Sequence, residues 1–412
     1  MSIGRISTAE TYRSAIGSVT DAQGFVNRIQ EQLATGKKIL TPADDPVASA
    51  QITGLRTQLQ RLESFQVNTL RAEAALSYED SVLQGVEGVL RRARDLVVQS
   101  GNAALDASGL TTLGTEIGGL IDQLVALGNT QSADGEYIFG GFASTTPPYE
   151  LAGGAVVENP TSGRRETNIA SGLTVFLTTP ASSIFNAEPG NGGFTVYADA
   201  ANSGTGFVNL TRADSDFDDT QDYTLSFQLG GAGELEWVVT DSLGAMTTGA
   251  YTDGEAILFD GGSGSITLEG TPAVGDSFAI TGNQSAAPVP TARTQSAFQT
   301  LVTIRDALLG DNSSQSGQAI ARTALNQSLE NLDQNLAQVA LARTDIGVRL
   351  NRVDSQIDLN SAFNVQLEST LAGLESLDYA EAISELNLQL VALEAAQQTF
   401  VKTTGLTLFN YL

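Results

Sequence analysis

Two stretches at opposite ends of the chain carry the same uninterrupted spacing of apolar residues by threes and fours. The first runs through Tyr12, Ala15, Val19, Ala22, Val26, Ile29 and Leu33; the second runs through Ile383, Leu386, Leu390 and Leu393 and continues by way of Gln397 to Phe400. Side chains three or four residues apart share one stripe of an α-helix, and a stripe of this width is a coiled-coil seam. Isolated helix pairs gain little stability without further partners, so these seams read as assembly elements, satisfied by each other or by the same seams on neighbouring copies. The candidate interface residues are Tyr12, Val19, Val26, Ile29, Leu33, Ile383, Leu386, Leu390, Leu393 and Phe400.

The prolines mark where helix can run. Pro42 and Pro46 share the short loop TPADDP, none follows until Pro147, and none follows Pro290. A helix tolerates proline only in its first turn, so both proline-free intervals are open to long helices. The first holds Ile52, Leu55, Leu59 and Leu62, then Leu83, Val86, Leu90, Ala93 and Val97, a break at Ser100 to Ser108, and a third helical pattern at 110–129. The second holds Leu325, Leu329, Leu332, Leu336, Val339, Ile346, Leu350, Val353 and Ile357, with Arg343 off pattern. Between the prolines the period changes to two: Leu173 to Leu177, Phe194 and Val196, Tyr223 to Leu229, Leu235 to Val239, and Phe278 with Ile280. Alternation bounded by glycine-rich turns is the mark of half-buried strands. The expected fold is a mainly α rod of long antiparallel helices with a terminal coiled coil and an inserted all-β domain. The expected parts are a terminal assembly domain (1–42 with 376–412), a helical rod domain (43–146 with 291–375) and a β-rich outer domain (147–290).

Composition removes whole classes of chemistry. With no histidine and no cysteine among 412 residues, the Ser-His and Cys-His catalytic pairs, disulfides and the commonest zinc sites are unavailable. No catalytic residue, cofactor or metal site is expected. Net charge is −26, and residues 147–290 hold 18 acidic against 3 basic side chains. Such a surface repels phosphate backbones, so nucleic acid is a poor partner. No apolar run approaches a membrane span, and Met1 to Gln30 lacks the apolar core of a cleavable signal peptide.

Two local patterns have plainer accounts than the functional ones they suggest. Asp214, Asp216, Asp218 and Asp222 have the spacing of a calcium loop, but Asp219 stands where the loop needs glycine and Leu225 where it needs a bidentate glutamate, which favours a solvated acidic loop. Arg91, Arg92 and Arg94 form a basic cluster on a helix, for which pairing with acidic neighbours such as Glu87 is the expected state.

Three segments carry a family likeness. ATGKKILTPADDP (Ala34 to Pro46), DGEYIFGGF (Asp134 to Phe142) and GLTLFNYL (Gly405 to Leu412) resemble the flagellin superfamily, nearer to its hook-associated branch than to flagellin itself. The resemblance implies a structural protein of the bacterial flagellum at the hook–filament junction, exported through the flagellar type III channel and assembled as a homo-oligomeric ring or helical layer. The partners it implies are other hook-associated proteins, flagellin and an export chaperone. A filament subunit is the close alternative. An adhesive or carbohydrate-binding module on a helical stalk is a more distant one, thinly supplied with aromatic residues beyond Trp237.

Overall fold

The structure, a computed structural model, describes residues 8–101, 106–159, 161–191, 193–282 and 295–409. Pro290 and the side chains of the terminal motif from Gly405 lie outside the described residues. The helices are α1 (Thr8–Thr35), α2 (Pro46–Ser100), α3 (Ala107–Gly128), α4 (Ser182–Phe185), α5 (Ala297–Leu309), α6 (Gln315–Glu375) and α7 (Tyr379–Phe409). At a rise of about 1.5 Å per residue, the 55 residues of α2 and 61 of α6 form helices of about 80–90 Å. Contacts divide the chain into two units, 1–67 with 356–412 and 68–355, and α2 and α6 contribute to both.

In the terminal unit, local chemistry fixes where helices stop. Gly36 leaves α1 with φ +68, and a Cβ there would lie 2.8 Å from the Tyr379 hydroxyl, so glycine is required on both counts. The following residues pair with the break between α6 and α7: Lys37 bridges Ser376, the Lys38 amide donates to the Glu375 carbonyl at 2.8 Å, and the Leu377 amide donates to the Gly36 carbonyl at 3.0 Å. In TPADDP, the Asp44 carboxylate accepts from the Thr41 amide at 2.8 Å and the Leu40 amide at 3.2 Å, bonds that hold its pKa below the usual carboxylate value. Asp45 accepts from the Ala48 amide at 2.9 Å and Pro46 takes the first helical position, an N-cap followed by a residue whose missing N–H costs nothing there. Asp378 starts α7 in the same way, accepting from the Ala380 amide at 2.9 Å and the Glu381 amide at 3.2 Å.

In the larger unit α2 and α6 run antiparallel with complementary seams. One buried seam of α2 runs through Ala72, Leu76, Glu79, Leu83, Val86, Leu90, Ala93 and Val97, with Val82, Val89 and Leu96 buried beside it; one of α6 runs through Leu325, Ser328, Leu332, Asn335, Val339, Ala342, Ile346, Arg349 and Val353, with Thr323, Gln327 and Asn331 buried beside it. Each is a strict alternation of three and four. One heptad line of α6 is wholly apolar and the other is mostly small or polar. Arg343, off the apolar pattern, pairs with Asp80 at 2.9 Å and Glu87 at 2.7 Å, and Arg94 reaches Asp333 at 2.6 Å. The arginine cluster of α2 is therefore paired throughout, Arg91 with Glu87 and Arg92 with Glu116 on α3.

The chain between α3 and α5 begins with small β elements, of which the first hairpin packs on those helices. β1 (Tyr149–Ala152) and β2 (Ala155–Glu158) form a hairpin, β3 (Glu166–Ala170) and β4 (Leu173–Phe176) a second ribbon, and β5 (Asn186–Ala187) pairs with the late β14 (Gln295–Ser296). Tyr149, Phe185 and Phe298 stack together, with Tyr149 and Phe298 centroids 3.9 Å apart and Phe185 5.2 Å from Phe298. Gly128 at the end of α3 lies against this cluster; a Cβ would sit 2.7 Å from the Tyr149 ring. Asn129 closes α3 and clamps the hairpin, donating to the Tyr149 carbonyl at 2.7 Å and accepting from its amide at 3.0 Å. Asn129→Ala should therefore lower stability by about 1–3 kcal/mol, the cost of leaving partly buried main-chain groups unpaired, read as a drop in Tm.

The remaining strands build an antiparallel sandwich. They are β6 (Phe194–Ala198), β7 (Phe207–Ala213), β8 (Asp222–Leu229), β9 (Leu235–Asp241), β10 (Met246–Ala250), β11 (Ala256–Phe259), β12 (Gly264–Glu269) and β13 (Ser277–Gly282). One sheet has the order β10-β9-β8-β13-β6 and the other β11-β12-β7. Their inner faces share one core in which Phe194, Leu225, Ile266, Leu268, Phe278 and Ile280 are essentially inaccessible. Strands β4, β6, β8, β9 and β13 fall on the segments whose alternation predicts them. The sandwich docks on α6 through side chains: the Val196 amide donates to Gln327 at 3.2 Å, the Val208 amide to Thr323 at 3.0 Å, and Asn326 donates to the Val208 carbonyl at 3.1 Å. Long helices at both ends of the sequence with a β-rich centre are the architecture the spacing implies.

Candidate assembly interface

Helices α1 and α7 pair within the terminal unit, and the Tyr12 and Phe400 rings meet with centroids 5.4 Å apart. The pair buries little. Among the described side chains, Val26 and Ile29 on α1 and Ala382 on α7 are the buried apolar ones, while Val19, Leu33, Leu386, Leu393 and Phe400 are half-buried. The least exposed line along α7 passes through Ala382, Leu386, Gln389, Leu393, Ala396 and Phe400. This line shares Leu386, Leu393 and Phe400 with the stripe chosen from sequence. Ile383 and Leu390 point elsewhere, 49% and 42% exposed, and Tyr12 keeps 47% of its surface accessible beside Phe400.

What the 3,4 rule misses is that α7 is apolar on more than one side. Leu388, Val391 and Val401 are each more than 60% exposed, in addition to Ile383 and Leu390, and between Tyr379 and Lys402 the only charges are Glu381, Glu385, Glu394 and Lys402. On α1, Ile16 and Phe25 are about half exposed. A helix apolar around most of its circumference needs partners on several sides, and α1 supplies one. The missed residues had a readable signal in the scarcity of charge along α7. No helix among the described residues is long and apolar enough to cross a membrane.

A chain with amphipathic helical arms at both ends, a seam between them and a β-rich centre defines a class. The family model for the bacterial flagellin N-terminal helical region matches residues 6–144, and the one for the bacterial flagellin C-terminal helical region matches 329–412. Together they span just over half of the sequence, and the chain belongs to the flagellin family. Within that family it is 29% identical over 187 residues to the flagellar hook-associated protein 3 of Salmonella typhimurium, covering 45% of this chain and 58% of that protein. Among solved structures it is similar to the hook-associated protein 3 of Legionella pneumophila, with a TM-score of 0.71, 27% identity and coverage of 78% of this chain and 98% of that one. It is also similar to FlgL of Xanthomonas campestris, with a TM-score of 0.66, 25% identity and coverage of 77% and 98%. The chain thus matches somewhat over half the length of the curated relative. The sandwich lies outside both matched regions.

Proposed function

We propose that this chain is a structural subunit of the bacterial flagellum that joins hook to filament. The observation that carries this reading is α7, whose exposed apolar faces exceed what α1 can cover and therefore suit packing against neighbouring subunits. Its copies form a homo-oligomeric ring or helical layer, with other hook-associated proteins on one side and flagellin on the other. It reaches its place by flagellar export, accompanied by a chaperone that shields the terminal helices, and it performs no catalysis. Tyr12, Val19, Val26, Ile29, Leu33, Leu386, Leu393 and Phe400 hold the terminal helices to each other, while Ile383 and Leu390 face neighbouring subunits. The three-part division into terminal assembly, helical and outer domains is kept as a functional one. The test is labelled antibody on isolated flagella. A single band at the hook boundary is the expected result, and uniform decoration of the filament would assign the chain to the filament instead.

A further inference from the structure

One buried titratable group has no role in the interface. Glu79 stands at a seam position of α2 between Leu76 and Leu83, 2% exposed, and its Oε1 has no hydrogen-bond partner. A buried carboxylate with an unsatisfied oxygen is costly, and it is normally rescued by a cation. The cation nearby is Arg349, 5% exposed at a seam position of α6. Its guanidinium is already engaged, with Nη2 on Asp345 and Nη1 on the Thr179 hydroxyl at 3.2 Å. Asp345 faces Arg164 as well, at 3.7 Å, and Asp80, the neighbour of Glu79 on α2, is occupied by Arg343. Every charged group around Glu79 therefore has another partner.

We propose that Glu79 is a proton-operated element of the helical unit: it holds a proton when the α2–α6 seam is closed, and losing that proton loosens the seam where Glu79, Thr179 and Arg349 meet. Burial, the largest influence, pushes the Glu79 pKa up to about 7, against the pull of Thr179 and Arg349 towards the charged form. The folded-state pKa is thus raised above the unfolded value of 4.5. The contribution to stability is fully present below 4.5 and is lost as pH rises through about 7. The switch operates across the mildly acidic to neutral range.

The test compares the full chain with Glu79→Gln, which keeps the shape of the protonated side chain and cannot ionise. Denaturation is followed from pH 5 to 8.5. The wild-type protein should weaken with rising pH relative to the variant, the two being close at pH 5. Near pH 8.5 the folding constant of the variant should be greater by roughly 100-fold, the order expected when a carboxyl must ionise some two units above its unfolded pKa. Carbon NMR of glutamate carboxyls gives the direct reading: one resonance titrating near neutrality in the wild type and missing from the variant. Parallel pH dependence of the two proteins, or no such resonance, would overturn the proposal.

Discussion

Val26→Asp should separate α1 from α7 in the monomer, whereas Leu390→Asp should leave the pair intact. Both residues lie in unbroken 3,4 runs, so periodicity alone treats them as equivalent, but Val26 is 5% exposed and Leu390 42%. At Val26 a carboxylate would be buried in an apolar seam position, at a cost of several kcal/mol. The α1–α7 pair buries few side chains completely, so a loss of about 3 kcal/mol would exceed the stability of a local element of this kind. At Leu390 the new charge stays in water, and the change should remain within about 0.5 kcal/mol. Amide hydrogen exchange of the monomer separates the two, with protection lost along α1 in the first variant and kept in the second. Under the proposed function both variants fail to assemble at the hook, the first for want of a folded terminal pair and the second because a carboxylate enters a subunit contact. Unchanged exchange in Val26→Asp, or normal junctions with Leu390→Asp, would refute the corresponding assignment.

Excising the sandwich alone should be tolerated, and excising the whole stretch between the prolines should not. The boundary expected at residue 147 runs through the cluster of Tyr149, Phe185 and Phe298, in which Tyr149 is 2% exposed and Phe185 fully buried. Removing 148–286 strips α3 and α5 of these aromatic partners, and each comparable truncation costs about 3–5 kcal/mol. Removing 191–282 and using 283–294 as the connection keeps the cluster. It also uncovers a face of α6 that is already polar, with Thr323, Asn326 and Gln327 free to bond water in place of strand main chain. The shorter deletion should retain the helical circular dichroism signal and a cooperative melt. The longer one should lose cooperativity in the region of α3 and α5. Equal behaviour of the two would place the aromatic cluster outside the folding core of the helices.

These contrasts also mark what the sequence discloses. Long helices are legible because apolar residues recur at a fixed period and prolines are confined to two windows, and strands such as β8 and β13 are legible because Tyr223 to Leu229 and Phe278 to Ile280 alternate. Strand β10 reads MTTGA, with its Thr247 and Gly249 positions too small or polar to show an inward face, so it leaves no trace in the pattern. Glu79 and Arg349 leave no mark in the pattern, because a rule that seeks apolar seam positions skips the polar ones. Along α7 the difficulty is reversed: so many positions are apolar that several stripes satisfy the same spacing, and only the presence of α1 selects Ala382 and Gln389 over Ile383 and Leu390. The motif from Gly405, informative for family, bears on side chains outside the described residues.

The side-chain docking of the sandwich on α6 has a bearing on crowding. Strands β6 and β7 are the terminal strands of their respective sheets, and the main-chain groups they turn towards α6 are bonded by Gln327, Thr323 and Asn326. A bare strand edge is a template on which a foreign strand can extend the sheet. Under the proposed function, with identical copies side by side at very high local concentration, such templates would invite neighbouring sandwiches to fuse into continuous sheet. The polar side chains of one long helix blunt that route on one flank of each sheet, leaving β10 and β11 as the flanks open to such fusion.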